Sequence, residues 1–459
     1  MSDQPSTLRE RLARIQRERP SPALLSLDTP EPVVEIRSSG VIRQTVHLEL
    51  MKELGPALFD AGMTEDDLVG RVRSTLSEVI SRSNCPMTDL DRHQMAQQIA
   101  DDILGYGPIE PYVRDSEVTE IMVNRHDHIY VEKHGRSTRV AAEFSDEDHL
   151  RRTIEKIVSR MGRRVDEAQP FTDTRLPDGS RVNATVPPVS PDGPTLTIRK
   201  FNPDPFTAAD FIAFKTFTVQ VAGFLDACVT GRLNILISSA TGAGKTTTLN
   251  VLSDFIPAAE RIVTIEDSAE LRLNQEHVVR LEARPENAEG SGLVTIRDLV
   301  RNSLRMKPDR ILVGEVRDEA ALDMLQAMNT GHDGSLSTIH ANSPRDAIAR
   351  LETLVALAGI DLPARSVRQQ IASAVDIILH LQKFRDGSRR MTHVTEVVGM
   401  EGEVVTMQDI FLHDFGAGVD SRGKPLGHLR PTGLRPSFAG RLVACGVEVD
   451  DAVFERAEQ

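Results

Sequence analysis

The sequence has few of the features of a secreted or membrane-spanning protein. Its 459 residues include only three cysteines, Cys85, Cys228 and Cys445, which follow no metal-ligand spacing and are expected to be reduced thiols. Residues 1–20 contain no apolar stretch of the kind that forms the centre of a signal peptide. No apolar run approaches the roughly 18 residues that span a bilayer. We therefore expect a cytoplasmic protein with no direct membrane span.

Aromatic residues and positive charge are also scarce. There is no tryptophan, and three tyrosines and 15 phenylalanines offer little surface for stacking on bases. The formal net charge is -14, whereas non-specific affinity for phosphate backbones is carried by clustered lysine and arginine. We therefore expect no nucleic-acid partner, and a nucleic-acid translocase becomes a disfavoured alternative.

The chain does contain enough apolar material for two or three folded domains. Hydrophobic residues make up 40% of it, and single cores stop growing at roughly 250 to 300 residues. Four prolines between residues 20 and 32 predict a disordered tail over residues 1–40. Apolar residues then recur at helical spacing, which predicts a small helical bundle over residues 41–110.

Two larger domains are predicted after the bundle. Short strands and one helix indicate an α+β N-terminal domain over residues 111–200, and Pro203 and Pro205 indicate a linker over residues 201–215. Apolar runs then alternate with helical stretches, which predicts an α/β core with a buried, largely parallel sheet over residues 216–459, including a C-terminal extension. The predicted strands are 121–123, 128–131, 195–198, 234–237, 262–265, 311–313, 336–339 and 376–381, and the predicted N-terminal helix is 146–161.

The strongest signal is a phosphate-binding loop between a predicted strand and a helix over residues 246–255. Small residues let consecutive backbone N–H groups converge on phosphate oxygens, and the helix N-terminus adds roughly half a positive charge. Lys245 is expected to reach the β and γ phosphates of ATP, and the Thr246 hydroxyl to bind Mg²⁺. The loop is Ser239, Ala240, Thr241, Gly242, Ala243, Gly244, Lys245 and Thr246, followed by Thr247.

One position departs from the usual loop pattern. Ser239 stands where the pattern has its first glycine, so we expect the tight turn at the entrance of the loop to form without the conformational freedom of glycine. The remaining glycines, Gly242 and Gly244, together with Lys245 and Thr246, keep the pattern recognisable. A nucleotide-binding switch with little turnover therefore remains an alternative to an active ATPase.

Two further predicted strands end in carboxylates. The strand at 311–313 leads to Glu315, which we expect to hold the Mg²⁺ ion or its water as a Walker B acid. The strand at 262–265 leads to three acids within five residues, and this end of a strand is where doubly wound folds place their ligands. These acids are Glu266, Asp267 and Glu270.

Two histidines bracket one short predicted strand. His332 precedes the strand at 336–339 and His340 follows it. A lone histidine is often a satisfied structural residue, whereas a pair beside a nucleotide site can sense the γ-phosphate or link it to a neighbouring subunit. Both interpretations remain open from the sequence.

The order of these motifs resembles the type II/type IV secretion superfamily of traffic ATPases, with its Walker A loop, Asp box, Walker B element and His box. The likeness spans roughly residues 100–435. It implies an N-terminal PAS-like domain and a RecA-like core, assembled as a homo-hexamer with ATP between the two domains. It also implies that Glu270 is the general base, that Glu315 is the Walker B acid, and that His332 and His340 form the His box.

Within the superfamily, four segments resemble the CpaF branch, which powers Tad (Flp) pili: residues 103–111, 175–183, 323–334 and 432–436. This resemblance implies a motor at the inner membrane face whose partners are inner-membrane platform proteins, for pilus assembly and with retraction as a further role. The ring ATPase of type IV secretion is the alternative, because it shares the arginine-rich N-domain motif. Three scattered cysteines cannot build the tetracysteine zinc module that is usual in general secretion ATPases.

Three arginines precede the predicted linker and lie outside the core that carries the phosphate loop. A lone surface arginine is usually a solvated charge, but Arg175, Arg181 and Arg199 all lie before a segment that could swing them onto bound nucleotide. Guanidinium groups delivered in this way stabilise transition-state charge. We therefore predict that these residues are arginine fingers.

Overall fold

A computed structural model describes residues 88–456 except 202–204, 287–290, 360 and 422–423, together with a few helical residues between 70 and 81. The chain divides into two compact units, residues 1–108 and 109–459. In the first unit the main described element is helix α1, Asp89–Ile103. The predicted tail and most of the predicted bundle lie outside the described residues.

The second unit begins with a six-stranded sheet in the order β3-β2-β1-β6-β5-β4, in which every neighbouring pair is antiparallel. The Asp146 side chain accepts a hydrogen bond from the His149 N–H and so caps α3, whose apolar residues are buried. The elements are α2 Glu110–Arg114, β1 Val118–Arg125, β2 His128–Lys133, β3 Arg136–Arg139, α3 Glu147–Arg160, β4 Phe171–Arg175, β5 Arg181–Thr185 and β6 Thr195–Arg199.

Three strands of this sheet are absent from the sequence prediction. Strand β3 is exposed along its whole length, and the inward residues of β4 are the threonines Thr172 and Thr174. Such strands carry no apolar alternation, and only pairing with their neighbours identifies them. The PAS-like assignment of this domain stays a prediction.

The segment predicted as a linker contains a helix, α4, Ala208–Ala213. Thr207 and Asp210 form a capping box at its start, and Phe211 is buried against Phe217 with ring centroids 5.5 Å apart. Both phenylalanines belong to the apolar cluster of the following domain. The second half of the predicted linker therefore forms a helix that packs on this apolar cluster, and the linker boundaries stay a prediction.

The large sheet has nine strands in the order β15-β14-β13-β12-β7-β11-β10-β8-β9. The pairs from β12 to β9 are parallel, and those between β12 and β15 are antiparallel. The sheet is therefore mixed rather than largely parallel throughout. Its strands are β7 Ile235–Ser239, β8 Ile262–Glu266, β9 Val278–Glu282, β10 Arg310–Val313, β11 Leu336–His340, β12 Ile377–Lys383, β13 Arg389–Glu401, β14 Val404–His413 and β15 Leu429–Pro431.

Apolar clusters cover both faces of the large sheet. Neighbouring residues of β7 point to opposite sides, so Ile235 and Ile237 belong to one cluster and Leu236 to the other. The helices are α5 Val219–Thr230, α6 Lys245–Ser253, α7 Ile296–Ser303, α8 Ala320–Asn329, α9 Pro344–Leu357, α10 Ala364–Ala374 and α11 Ala439–Ala444. No helix among the described residues is both long enough and apolar enough to cross a membrane.

Candidate functional site

The phosphate loop follows β7 at the carboxyl edge of the parallel strands. Ser239 is the last residue of β7 and pairs with His340 of β11, so it has the extended backbone of a strand. The left-handed conformations occur instead at Gly242 (φ 72°) and at Gly244 (φ 99°), which caps α6. The turn therefore uses the freedom of these two glycines and not that of residue 239, where a serine fits without strain.

The other loop residues are distributed around this turn. Ala240 and Thr241 are exposed, whereas Ala243 is buried. Thr246 and Thr247 are half-buried in the first turn of α6. The free backbone N–H groups of a first helical turn point toward the space in front of the helix. The loop and α6 together therefore have the geometry of a phosphate site.

Lys245 lies at the centre of a small polar cluster. Its Nζ is 3.7 Å from Glu315 Oε1, 3.5 Å from His340 Nδ1 and 3.4 Å from the carbonyl oxygen of Ser239. Burial lowers the pKa of the Lys245 ammonium, while the Glu315 carboxylate opposes the shift and the charges of Arg317 and Arg199 add to it. A bound phosphate chain would supply the negative charge that this ammonium attracts.

Glu315 follows β10 and is the carboxylate nearest to the phosphate lysine. Arg317 forms ion pairs with both Glu315 and Asp267, so one guanidinium joins the ends of two neighbouring strands. The Thr246 hydroxyl and the Glu315 carboxylate are hard oxygen donors of the kind that Mg²⁺ takes together with phosphate oxygens and water. The described residues contain no group of three or more His, Cys, Asp or Glu that could hold a metal by itself.

The acidic loop after β8 contains two glutamates in different environments. Glu266 is buried and accepts hydrogen bonds from the N–H groups of Glu270, at 2.8 Å, and Leu271. Burial raises the pKa of Glu266 to about 7, although these N–H groups lower it. Glu270 is half-buried, and its carboxylate accepts a hydrogen bond from Arg181 Nη1 at 2.9 Å. Glu266 therefore shapes the loop that presents Glu270.

The three predicted arginine fingers form one row across the antiparallel sheet. Arg175 of β4 pairs with Arg181 of β5, which pairs with Arg199 of β6, so their side chains share one face. Arg181 contacts Glu270, and Arg175 Nη2 donates to Ser268 Oγ at 2.6 Å. The charge of Arg199 is felt at Lys245. The row therefore contacts the acidic loop through Arg175 and Arg181, while Arg199 acts on the phosphate loop only through its charge.

The two histidines lie at opposite ends of strand β11. His340 ends β11 beside Ser239 and approaches Lys245. His332 precedes β11, and a five-residue strand at about 3.3 Å per residue separates the two by roughly 13 to 16 Å. His332 therefore lies away from the phosphate loop of its own chain. A link to a neighbouring subunit stays a prediction for His332.

Sequence reasoning missed one residue that contacts the phosphate loop. Arg389 begins β13, in a region where no catalytic motif was identified, and its Nε donates to the carbonyl oxygen of Gly242 at 2.8 Å. The residue is 144 positions beyond Lys245 in the chain, by subtraction of their numbers. No local pattern at that distance could have indicated the contact.

Residues 102–404 match the family described as Type II/IV secretion system protein. The chain belongs to this family. The superfamily predicted from the order of the motifs is therefore confirmed, while the CpaF branch stays a prediction.

Three proteins of similar sequence have informative names. A candidate conjugal transfer protein of Mycobacterium tuberculosis is 38% identical over 309 residues, which cover 66% of this chain and 87% of the relative. The conjugal transfer protein TrbB of Rhizobium radiobacter is 33% identical over 320 residues, or 69% of this chain and 94% of TrbB. Protein VirB11 of Agrobacterium fabrum is 33% identical over 311 residues, or 61% and 89%.

Two solved structures are also similar. The VirB11 ATPase from the Brucella suis type IV secretion system is 27% identical, with a TM-score of 0.35, over 62% of this chain and 94% of that one. The pilus retraction motor PilT with bound ADP is 21% identical, with a TM-score of 0.46, over 62% of this chain and 80% of PilT.

The environments of the two glutamates predict different effects of removing each carboxylate. Glu270→Gln is expected to bind ATP yet turn it over about 10² to 10⁴ times more slowly, because an amide cannot accept a proton from water. Glu266→Gln should keep measurable turnover, because its amide oxygen can still accept the loop N–H groups. Single-turnover phosphate release with a parallel ATP-binding measurement tests both variants.

The pH dependence separates the two assignments further. If Glu266 were the base, wild-type turnover would rise as the pH passes through about 7, where its carboxylate form takes over. An active Glu270→Gln beside an inactive Glu266→Gln, with such a rise, would move the general-base role to Glu266.

Proposed function

We propose that the chain is a motor ATPase that hydrolyses ATP, with Mg²⁺, to drive a secretion or pilus-assembly machine at the inner membrane face. The observation that carries this proposal is the arginine row of the six-stranded sheet, which contacts the acidic loop of the nine-stranded sheet that also carries the phosphate loop. A nucleotide in such a site contacts both domains. Its hydrolysis would then release one domain from the other.

The chemistry follows from the residues already placed. The loop 239–246 would bind the phosphates, with Lys245 at the β and γ positions and Thr246 and Glu315 holding the metal. Glu270 would accept the proton of the attacking water, and Arg181 and Arg199 would stabilise the charge on the transferring phosphoryl group. His340, whose Nδ1 is 3.5 Å from Lys245 Nζ, would respond to the presence of the γ-phosphate through that lysine.

The relatives favour a type IV secretion or conjugation machine as the one that is driven. Three of the similar proteins carry the names of conjugal transfer proteins or of VirB11. Assembly of a Tad (Flp) pilus, with retraction as a further role, is the second candidate, supported by the four segments that resemble the CpaF branch. In either machine we propose a cytoplasmic location, peripheral at the membrane, with inner-membrane platform proteins as partners and no direct nucleic-acid contact.

Complementation in the source organism tests the proposal. A strain lacking the gene would receive the gene for the wild type, for Lys245→Ala or for Lys307→Ala. The last is a control, because it removes an exposed lysine just before β10, at the other end of the strands from the phosphate loop. If Lys245→Ala, but not Lys307→Ala, loses DNA or protein transfer and keeps its surface pili, the secretion machine is supported. If Lys245→Ala loses its surface pili and keeps transfer, the Tad machine is supported. If Lys245→Ala restores every phenotype, the protein is not an ATP-driven motor.

The assembly state is a separate prediction. We expect a six-membered ring, as the family resemblance implies, and closed rings bury the same two surfaces at each subunit contact. Light scattering in the presence of nucleotide should give a mass near six times the 50.6 kDa of the chain. A monomer with full ATPase activity would contradict the ring.

A further inference from the structure

The C-terminal hairpin of the large sheet lies beside the phosphate loop. Strand β12 pairs in parallel with β7, and Leu381 is the partner of Ser239 at the entrance of the loop. Two residues further along, Lys383 pairs with Arg389 at the start of β13. Because β7 continues directly into the loop, this pairing places Arg389 at the height of the loop.

The backbone of Arg389 is held from the other side. Its carbonyl oxygen accepts a hydrogen bond from the buried Thr216 hydroxyl at 3.0 Å, and the Met391 N–H donates to the Thr216 carbonyl at 2.9 Å. These bonds fix the start of β13 against the segment that follows α4. The position from which the Arg389 side chain extends is therefore set by the fold.

The side chain extends over the two glycines of the loop. Its Nε donates to the carbonyl oxygen of Gly242 at 2.8 Å, and its Cδ is 3.5 Å from the position that a Cβ on Gly244 would occupy. Among the described residues no hydrogen bond or ion pair is made by Nη1 or Nη2 of this exposed arginine. Two donors of a permanently charged group are thus available next to the loop.

The neighbouring Arg390 shows the contrast. It is buried, and its Nη1 and Nη2 donate to the carbonyl oxygens of Gly427 and Pro425. Those bonds hold the turn before β15, so Arg390 has a structural role. The Nη1 and Nη2 atoms of Arg389 make no such hydrogen bonds to described residues. Guanidinium groups are well suited to bind phosphate oxygens with two parallel hydrogen bonds.

We propose that Arg389 is a nucleotide-binding residue, which donates to the phosphate chain of a nucleoside diphosphate or triphosphate held by the loop 239–246. The inference rests on the proposed nucleotide site and adds a contact from the C-terminal strands. Unlike Arg181 and Arg199, which approach from the other domain, Arg389 belongs to the same sheet as the loop. It binds the ground state and therefore acts on affinity rather than on the chemical step.

The test compares Arg389→Ala and Arg389→Lys with Arg385→Ala, a control that removes one exposed arginine from the same hairpin. Equilibrium dissociation constants for ADP and ATP are measured on the full chain, together with kcat and KM. Arg389→Ala is expected to weaken both nucleotides about tenfold or more while kcat changes less than about threefold. Arg389→Lys should recover part of the affinity, because its ammonium restores the charge without the bond to Gly242.

Two results would overturn the proposal: unchanged nucleotide affinity in Arg389→Ala, whether or not kcat falls, or an equal loss of affinity in Arg385→Ala. Thermal unfolding without nucleotide identifies a variant that fails to fold, in which case Arg389→Lys and Arg389→Gln carry the comparison. The dissociation constants do not depend on turnover. A wild type that binds ATP but does not hydrolyse it would therefore refute the motor, while the ADP and ATP affinities of the Arg389 variants would still decide the role of Arg389.

Discussion

Replacing Lys245 by alanine is expected to abolish ATP turnover, with phosphate release falling to the level of a reaction without enzyme. The ammonium lies 3.7 Å from Glu315 Oε1 and 3.5 Å from His340 Nδ1, and without it the charge of the β and γ phosphates is uncompensated during transfer. Burial lowers the pKa of Lys245, but the Glu315 carboxylate helps to retain the charge that the phosphates need. Steady-state phosphate release from the purified variant checks this expectation.

The matched control for Lys245→Ala is Lys307→Ala, which removes an exposed lysine just before the first residue of β10, at the end of the strands opposite to the phosphate loop. That variant should keep wild-type turnover. Thermal unfolding of both proteins shows whether the fold is intact. Wild-type phosphate release in Lys245→Ala would remove Lys245 from the site and contradict the assignment of the loop.

Replacing Arg181 or Arg199 by alanine is expected to lower turnover far more than ATP affinity, by up to about 10³ to 10⁵. Both belong to the arginine row that contacts the acidic loop, and the charge of Arg199 acts on Lys245. Arg181 is paired with Glu270 at 2.9 Å, so the γ-phosphate would compete with this carboxylate for the guanidinium. Binding of ATP would then free Glu270 to act as a base.

Arg175 differs from the other two members of the row. Its Nη2 is committed to Ser268 at 2.6 Å and to Glu282 at 2.5 Å, so Arg175→Ala should chiefly disturb the placement of the acidic loop. Arg136→Ala, on the far edge strand β3, is the control for loss of charge from the same sheet. Turnover and nucleotide affinity are measured on every variant. Wild-type turnover in both Arg181→Ala and Arg199→Ala would leave the N-terminal domain as a scaffold.

The parallel strands of the core were predictable because they are buried on both faces. Strands β7, β8, β10 and β11 appear in the sequence as short apolar runs, and their observed bounds differ from the predicted ones by one or two residues. Strands β4 and β5 were missed because threonine and alanine fill several of their inward positions. The pairing of β13 with β12 and β14 was also missed, because it depends on partners and not on composition.

The sequence by itself determined the family, the position of the glycine-containing loop between a strand and a helix, and the acids that follow two strands. These features are local, since the glycines, the lysine and the helix start of a P-loop lie within eight consecutive residues. Only the tertiary structure decided which of the distant candidates meet. Strand register placed Arg175, Arg181 and Arg199 in one row, the direction of β11 separated His332 from the loop, and the hairpin brought Arg389 to Gly242. Such contacts depend on how strands pair across the sheet, and residues far apart in the chain carry no local pattern that records their pairing.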